Sequence, residues 1–198
     1  MVEAWLKLGE VRSRAGRHAA AADAFRQAVA RCHPPAADML LALGQAELAA
    51  GGLEEAEKAA RAAEAGSPAH ARVLRAEVLV RRGDHAGALR ALDGTPPSVF
   101  KAEFVRADAL ARQGRAAEAE AAYRRHIAAF PKHLQSYANL AVLAFVQGRR
   151  GEVDAILEQM AGAAPGAEAY RVAEKTMAAF ADRRAAAAWR RRAAQAPR

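Results

Sequence analysis

The sequence predicts an all-α chain built of stacked helical hairpins, and three observations predict it. Alanine dominates the apolar content, aromatic residues make up only 6% of the chain, and strand-type alternation is hard to find. Apolar residues recur instead at helical spacing, first as Trp5, Leu8 and Gly9, then as Ala21, Phe25 and Ala28. Third, Gly16, Gly51, Gly83, Gly114 and Gly148 punctuate the chain at intervals of 35, 32, 31 and 34 residues (51−16, 83−51, 114−83, 148−114). A near-constant period of this length marks a repeat array.

Residues 1–35 set the pattern. Gly9 and Ala21 are small where two helices cross, and Trp5, Leu8 and Phe25 supply the volume that fills the rest of the seam. Gly16 provides a turn conformation that a side chain makes costly. Pro34 and Pro35 end the second helix and fix the entry into the next unit. Cys32, on the spacing Ala21, Phe25, Ala28, Cys32, reads as a core-facing thiol rather than a reactive or metal-bound one, and as the single cysteine it excludes an intrachain disulfide. One such hairpin cannot bury its apolar face alone, so it needs neighbours.

The second unit carries Leu40, Leu43 and Gly44, then Ala56, Ala59, Ala60 and Ala63 on one face, a thin seam that depends on the adjoining units. The third offers Leu79, Ala88, Leu89 and Leu92, and its second helix stops early at Asp93-Gly94-Thr95-Pro96-Pro97. Asp84 reads as the N-cap of that short helix. The fourth presents Ala107, Leu110, Gly114, Ala119 and Tyr123, with His126 on the same apolar face as a packed histidine. The fifth has Tyr137, Leu140, Ala141, Gly148, Leu157 and Pro165. Residues 170–181 and 182–196 then read as a degenerate sixth pair in which Asp182 falls where a turn glycine is due.

The spacing W-x2-L-G, a glycine, A-x3-F-x2-A and a closing proline resembles the tetratricopeptide repeat, a unit of about 34 residues. Arg12 stands where that family prefers tyrosine. The resemblance covers nearly the whole chain. It implies a right-handed superhelix of about six helix-turn-helix units forming one domain over residues 1–198. The repeats fall near 1–35, 36–67, 68–97, 98–132 and 133–166, and residues 167–198 form a capping pair. It further implies that the first helices line a concave groove holding a protein or peptide, so the expected function is a non-catalytic binding scaffold without a cofactor.

Carried over from the family, the groove-facing positions are Leu6, Glu10 and Arg14, then Leu41, Gln45 and Ala49, then Val73, Glu77 and Arg81. Phe104, Asp108 and Arg112 follow, then Ala138, Val142 and Val146. In three units an acid precedes an arginine by four residues: Glu10 and Arg14, Glu77 and Arg81, Asp108 and Arg112. These are either solvated ion pairs worth about 0.3–0.5 kcal/mol each or the walls of a zwitterionic groove. Val142, Phe145 and Val146 put apolar surface where other units put charge, and either the capping pair covers it or it forms a pocket. The expected partner-binding residues are Phe104, Asp108, Arg112, Val142, Phe145, Glu77 and Arg81.

Charge is uneven. Residues 171–198 hold eight basic and two acidic side chains, a net +6 (8−2) of the chain's +8. Clustered arginines suit phosphate or carboxylate, which makes anion or nucleic-acid binding an alternative, although no nucleic-acid motif accompanies them. A further alternative is an accessory module of a larger bacterial multidomain protein, such as a sulfatase-like hydrolase. Catalysis finds no support: there is no Gly-rich phosphate loop, no G-x-S-x-G, no zinc-spaced histidine pair and no cysteine pair. The longest apolar run, Leu140 to Val146, is too short to span a bilayer, and the N-terminus reads as helix rather than as a leader, so a cytoplasmic chain is expected.

Overall fold

A computed structural model describes residues 1–196, and all its regular structure is helical. Twelve helices follow one another: α1 (Val2–Arg14), α2 (His18–Val29), α3 (Ala37–Ala50), α4 (Leu53–Ala63), α5 (Pro68–Arg82), α6 (His85–Ala91), α7 (Ala102–Arg112), α8 (Ala116–Ala129), α9 (Leu134–Val146), α10 (Arg150–Ala163), α11 (Ala167–Ala179) and α12 (Arg183–Gln195). They form six hairpins grouped in two compact units, Met1–Val105 and Arg106–Arg198.

The punctuation is set by backbone conformation. All five periodic glycines adopt positive φ, from 71° at Gly16 to 92° at Gly51, in a region where a Cβ is strained. The sixth turn differs from the others: Ala181 takes the left-handed conformation, with φ of 60°, and the Asp182 carboxylate then caps α12 by accepting from the Ala185 N–H at 2.9 Å. Asp84 caps α6 in the same way, accepting from Gly87 N–H at 2.7 Å, and α6 is only seven residues long before the Asp93–Pro97 turn.

In the first unit, Gly9 is buried because a Cβ there would lie 2.6 Å from Cε1 of the Phe25 ring. Leucine at Gly9, or at the fully buried Ala107 of the second unit, should overpack the crossing and cost about 1–3 kcal/mol, seen as a lower melting temperature. An unchanged melting temperature in both variants would refute this packing. Arg12, in the position where the family prefers tyrosine, donates instead to the Ala20 carbonyl at 3.0 Å and so ties α1 to α2. The alanine seam of the second hairpin forms as expected: Ala56, Ala59, Ala60 and Ala63 are all buried, and Leu74 from α5 fills the space beside Ala56 and Ala60.

Three expectations for the first hairpin need correction. Leu8 does not fill the seam; it is 36% exposed, because α1 is packed on one side only and its opposite face meets solvent. Trp5 is only half-buried, with the Arg31 guanidinium 5.5 Å over its ring. Cys32 lies beyond the end of α2 rather than on it. It is therefore half-buried, with its Sγ donating to the Pro34 carbonyl at 3.5 Å, and is not a core thiol.

In the second unit, His126 is fully buried, its ring centroid 4.9 Å from those of Phe130 and His133, which is the packed histidine the sequence points to. Among the described residues no helix is long and apolar enough to cross a membrane.

Candidate functional site

The second unit holds a cavity of about 380 Å³ that gathers three of the predicted site residues. Asp108 and Arg112 come from α7, one turn apart, and pair at 3.2 Å, the i,i+4 geometry their spacing allows. Tyr123 enters from α8, and Asn139, Val142, Leu143 and Val146 come from α9. The Asn139 side-chain amide donates to the Tyr123 hydroxyl at 3.2 Å and accepts from Gln135 at 2.8 Å, so its orientation is fixed. Burial pushes the Tyr123 phenol far above its ordinary value, and Asp108 pushes the same way against Asn139 and Arg112. The hydroxyl therefore stays neutral at physiological pH.

The helix α9 is apolar nearly all round, and that decides the wall. Leu140, Ala141, Leu143 and Ala144 take the buried face, which leaves Val142 42% and Val146 76% exposed. The capping pair covers only part of the remainder. Phe145 stacks on Phe180 at 4.0 Å with ring planes 3° apart, and Arg150 lies 5.1 Å over it. The two alternatives for this surface are thus divided between residues: Phe145 is covered, while Val142 and Val146 line a pocket.

In the first unit, two of the three expected acid–arginine pairs are replaced. Glu10 pairs with Lys7 at 3.1 Å rather than with Arg14, three residues serving as well as four on an exposed helix face. Glu77 turns from Arg81 to Lys101 at 2.9 Å and accepts from the Gln45 amide at 2.6 Å, because both partners sit in a half-buried setting that strengthens the contact. Arg81 is exposed, and Phe104 is half-buried. The leading residues of the carried-over triplets face inward: Val73 and Ala138 are buried, and Leu6 and Leu41 pack against core clusters. A second cavity, of about 460 Å³, is lined by Glu10, Ser13, Arg14, His18, Phe25 and the α3 face of Ala42, Gln45 and Ala49.

Sequence reasoning does not single out Lys101, Tyr123 or Asn139 as site residues. Tyr123 sits on the seam spacing and reads as filler, and Lys101 lies in an irregular segment whose side-chain direction no periodicity encodes.

The arginines of the basic C-terminal pair are partly engaged, within the pair and with α10. Arg190 pairs with Glu174 at 2.7 Å, and Arg192 holds Glu158 through two contacts of 2.5 and 3.1 Å. The Arg192 guanidinium also lies 4.1 Å from the Trp189 ring centroid and 4.9 Å from that of Tyr170. Arg183, Arg184 and Arg191 are exposed; Arg198 lies outside the described residues.

Two family models match the chain: one described as a tetratricopeptide repeat-like domain over residues 35–143, and one described as a tetratricopeptide repeat over residues 1–37. No curated protein matches at the level of sequence. Among solved structures, the chain resembles a tetratricopeptide repeat protein from Parabacteroides merdae ATCC 43184, with a TM-score of 0.68 and 19% identity over 100% of this chain and 79% of that one. It also resembles PilW, a type IV pilus biogenesis factor, with a TM-score of 0.66 and 19% identity over 95% of this chain and 90% of the other. A third is a thermophilic tetratricopeptide repeat protein from Thermus thermophilus, with a TM-score of 0.59 and 17% identity over 99% of this chain and 91% of that one. At these identities the likeness bears on fold alone. The family match spans more than half of the chain, on the same helical hairpins and turn glycines described above, and this chain belongs to the tetratricopeptide repeat family.

Proposed function

We propose that this chain is a non-catalytic scaffold that holds a protein partner, and that the α7–α9 cavity receives an apolar side chain of that partner. The observation that carries this reading is the exposure of Val142 and Val146 on the wall of a cavity whose opposite side is the Asp108–Arg112 pair. Covering a valine removes apolar surface from water and is worth about 1.5–3 kcal/mol when complete, so these two side chains favour an occupant. The ion pair beside them offers one acceptor and one donor group to the polar flank of the same segment. Because that pair is neutral overall, affinity should fall only moderately with salt.

The test compares proteins retained from a lysate of the source organism by the wild type and by two variants. Val142→Asp with Val146→Asp should lose a partner by at least about tenfold, since about 1.4 kcal/mol already gives that factor. Arg183→Gln with Arg184→Gln and Arg191→Gln should retain it, because these exposed arginines lie outside the cavity. Both variants should keep the wild-type helical circular dichroism. Binding that survives the aspartates but is lost with the arginines, and falls steeply with salt, would replace this reading by anion or nucleic-acid binding.

A further inference from the structure

One position recurs in every repeat. Glu10, Gln45, Glu77, Asp108 and Val142 each stand six residues before a turn glycine (16−10, 51−45, 83−77, 114−108, 148−142). Where the first helices of successive hairpins bring two such positions together, the structure shows two outcomes. At α1 and α3, Glu10 and Gln45 line an open cavity, and at α7 and α9 so do Asp108 and Val142. At α3 and α5 the equivalent pair is bridged: the Gln45 amide donates to Glu77 at 2.6 Å, and Lys101 closes over both. Its Nζ lies 2.9 Å from Glu77 Oε1 and 3.4 Å from Gln45 Oε1.

Lys101 reaches this place from the segment ahead of α7, with φ of 65°, a left-handed conformation that strains a residue with a Cβ. Its side chain is 26% exposed and that of Glu77 is 13% exposed, so the contact is half-buried. A strained backbone thus delivers an ammonium group to a carboxylate and an amide oxygen that face it from two helices.

We propose that Glu77 and Gln45 form a binding site for an alkylammonium group, which Lys101 occupies from within the chain, and that a lysine side chain of a protein partner takes this site when Lys101 leaves. Lys101 itself shows the chemistry the site accepts: one positive charge, two oxygen acceptors and a hydrocarbon stem. Its left-handed backbone favours departure, since leaving lets the residue relax. This goes beyond the α7–α9 cavity and shares with that reading only that the partner is a protein.

The experiment uses the whole chain and Nα-acetyl-lysine methylamide as probe, followed by NMR through the Gln45 side-chain amide and the Glu77 carboxyl carbon. Lys101→Ala should show saturable shifts with the lysine probe and none with the uncharged norleucine analogue. The wild type should bind at least about tenfold more weakly, because the tethered lysine competes at a high effective concentration. Lys101→Ala with Glu77→Gln should lose binding. Lys101→Gly, which removes the strain at this φ, should bind as Lys101→Ala does and serves if the alanine variant folds poorly. Equal shifts from both probes, or no saturable shift in either the alanine or the glycine variant, would overturn the proposal. Both readouts sit at Glu77 and Gln45, so this result is separable from the fate of the Val142 and Val146 variants.

Discussion

Trp189→Ala is expected to cost about 3–5 kcal/mol and to lower the melting temperature by roughly 10 °C. Alanine and arginine make up α12 apart from Trp189 and Gln195, and only Ala186 and Trp189 are buried on it. The tryptophan is 4% exposed, with its ring centroid 6.0 Å from that of Tyr170 and the Arg192 guanidinium 4.1 Å over it. Removing it takes away most of the apolar surface the helix buries and leaves the Arg192 guanidinium without one of its two aromatic faces. The neighbouring alanines are too small to refill the space. Loss of α12 should appear as reduced helical circular dichroism and as fast amide exchange over residues 183–195. Trp189→Phe should recover most of the stability. A melting temperature unchanged in Trp189→Ala would mean that this helix is not held by its tryptophan.

Leu74→Ala should have a similar effect in the first unit, about 2–5 kcal/mol. Leu74 is fully buried and packs with Leu48, Ala56, Ala60 and Val78. Half of these neighbours are alanine, which has no side-chain freedom with which to close a cavity. A Cβ at Gly44 would clash first with Leu74 Cδ2, so the two positions are coupled. Gly44→Ala alone should therefore destabilise, whereas in the Leu74→Ala background the added methyl enters vacated space. The residual approach of 3.1 Å to Ala59 Cβ limits the rescue to a partial one. Thermal melts of the two single variants and the double variant give the interaction term. Strict additivity would show that Leu74 does not occupy the space beside Gly44.

The repeat architecture was legible because it rests on local rules. A positive φ demands glycine, and helical spacing marks which alanines and leucines share a face, so five turns and six hairpins follow from residue types alone. Gly9 and Ala107 were legible as crossing points for the same reason. Ala181 was not, since the left-handed conformation there is imposed by the contacts of α11 and α12 on a residue that does not ask for it. The candidate site was legible in part. Asp108, Arg112 and Val142 converge as the repeat register requires, whereas the register says nothing of Lys101, which lies in an irregular segment.

The sequence by itself determined the secondary structure, the period, the family and the Asp108–Arg112 ion pair, whose partners stand one turn apart on α7. Only the tertiary structure decided which partner Glu77 takes, which side of α9 stays open and how far the capping pair reaches. The reason is one of range. Within a helix, spacing fixes which side chains can meet, but a long polar side chain such as Lys101 or Glu77 chooses among partners tens of residues away. The half-buried setting that decides between them exists only once the hairpins have packed.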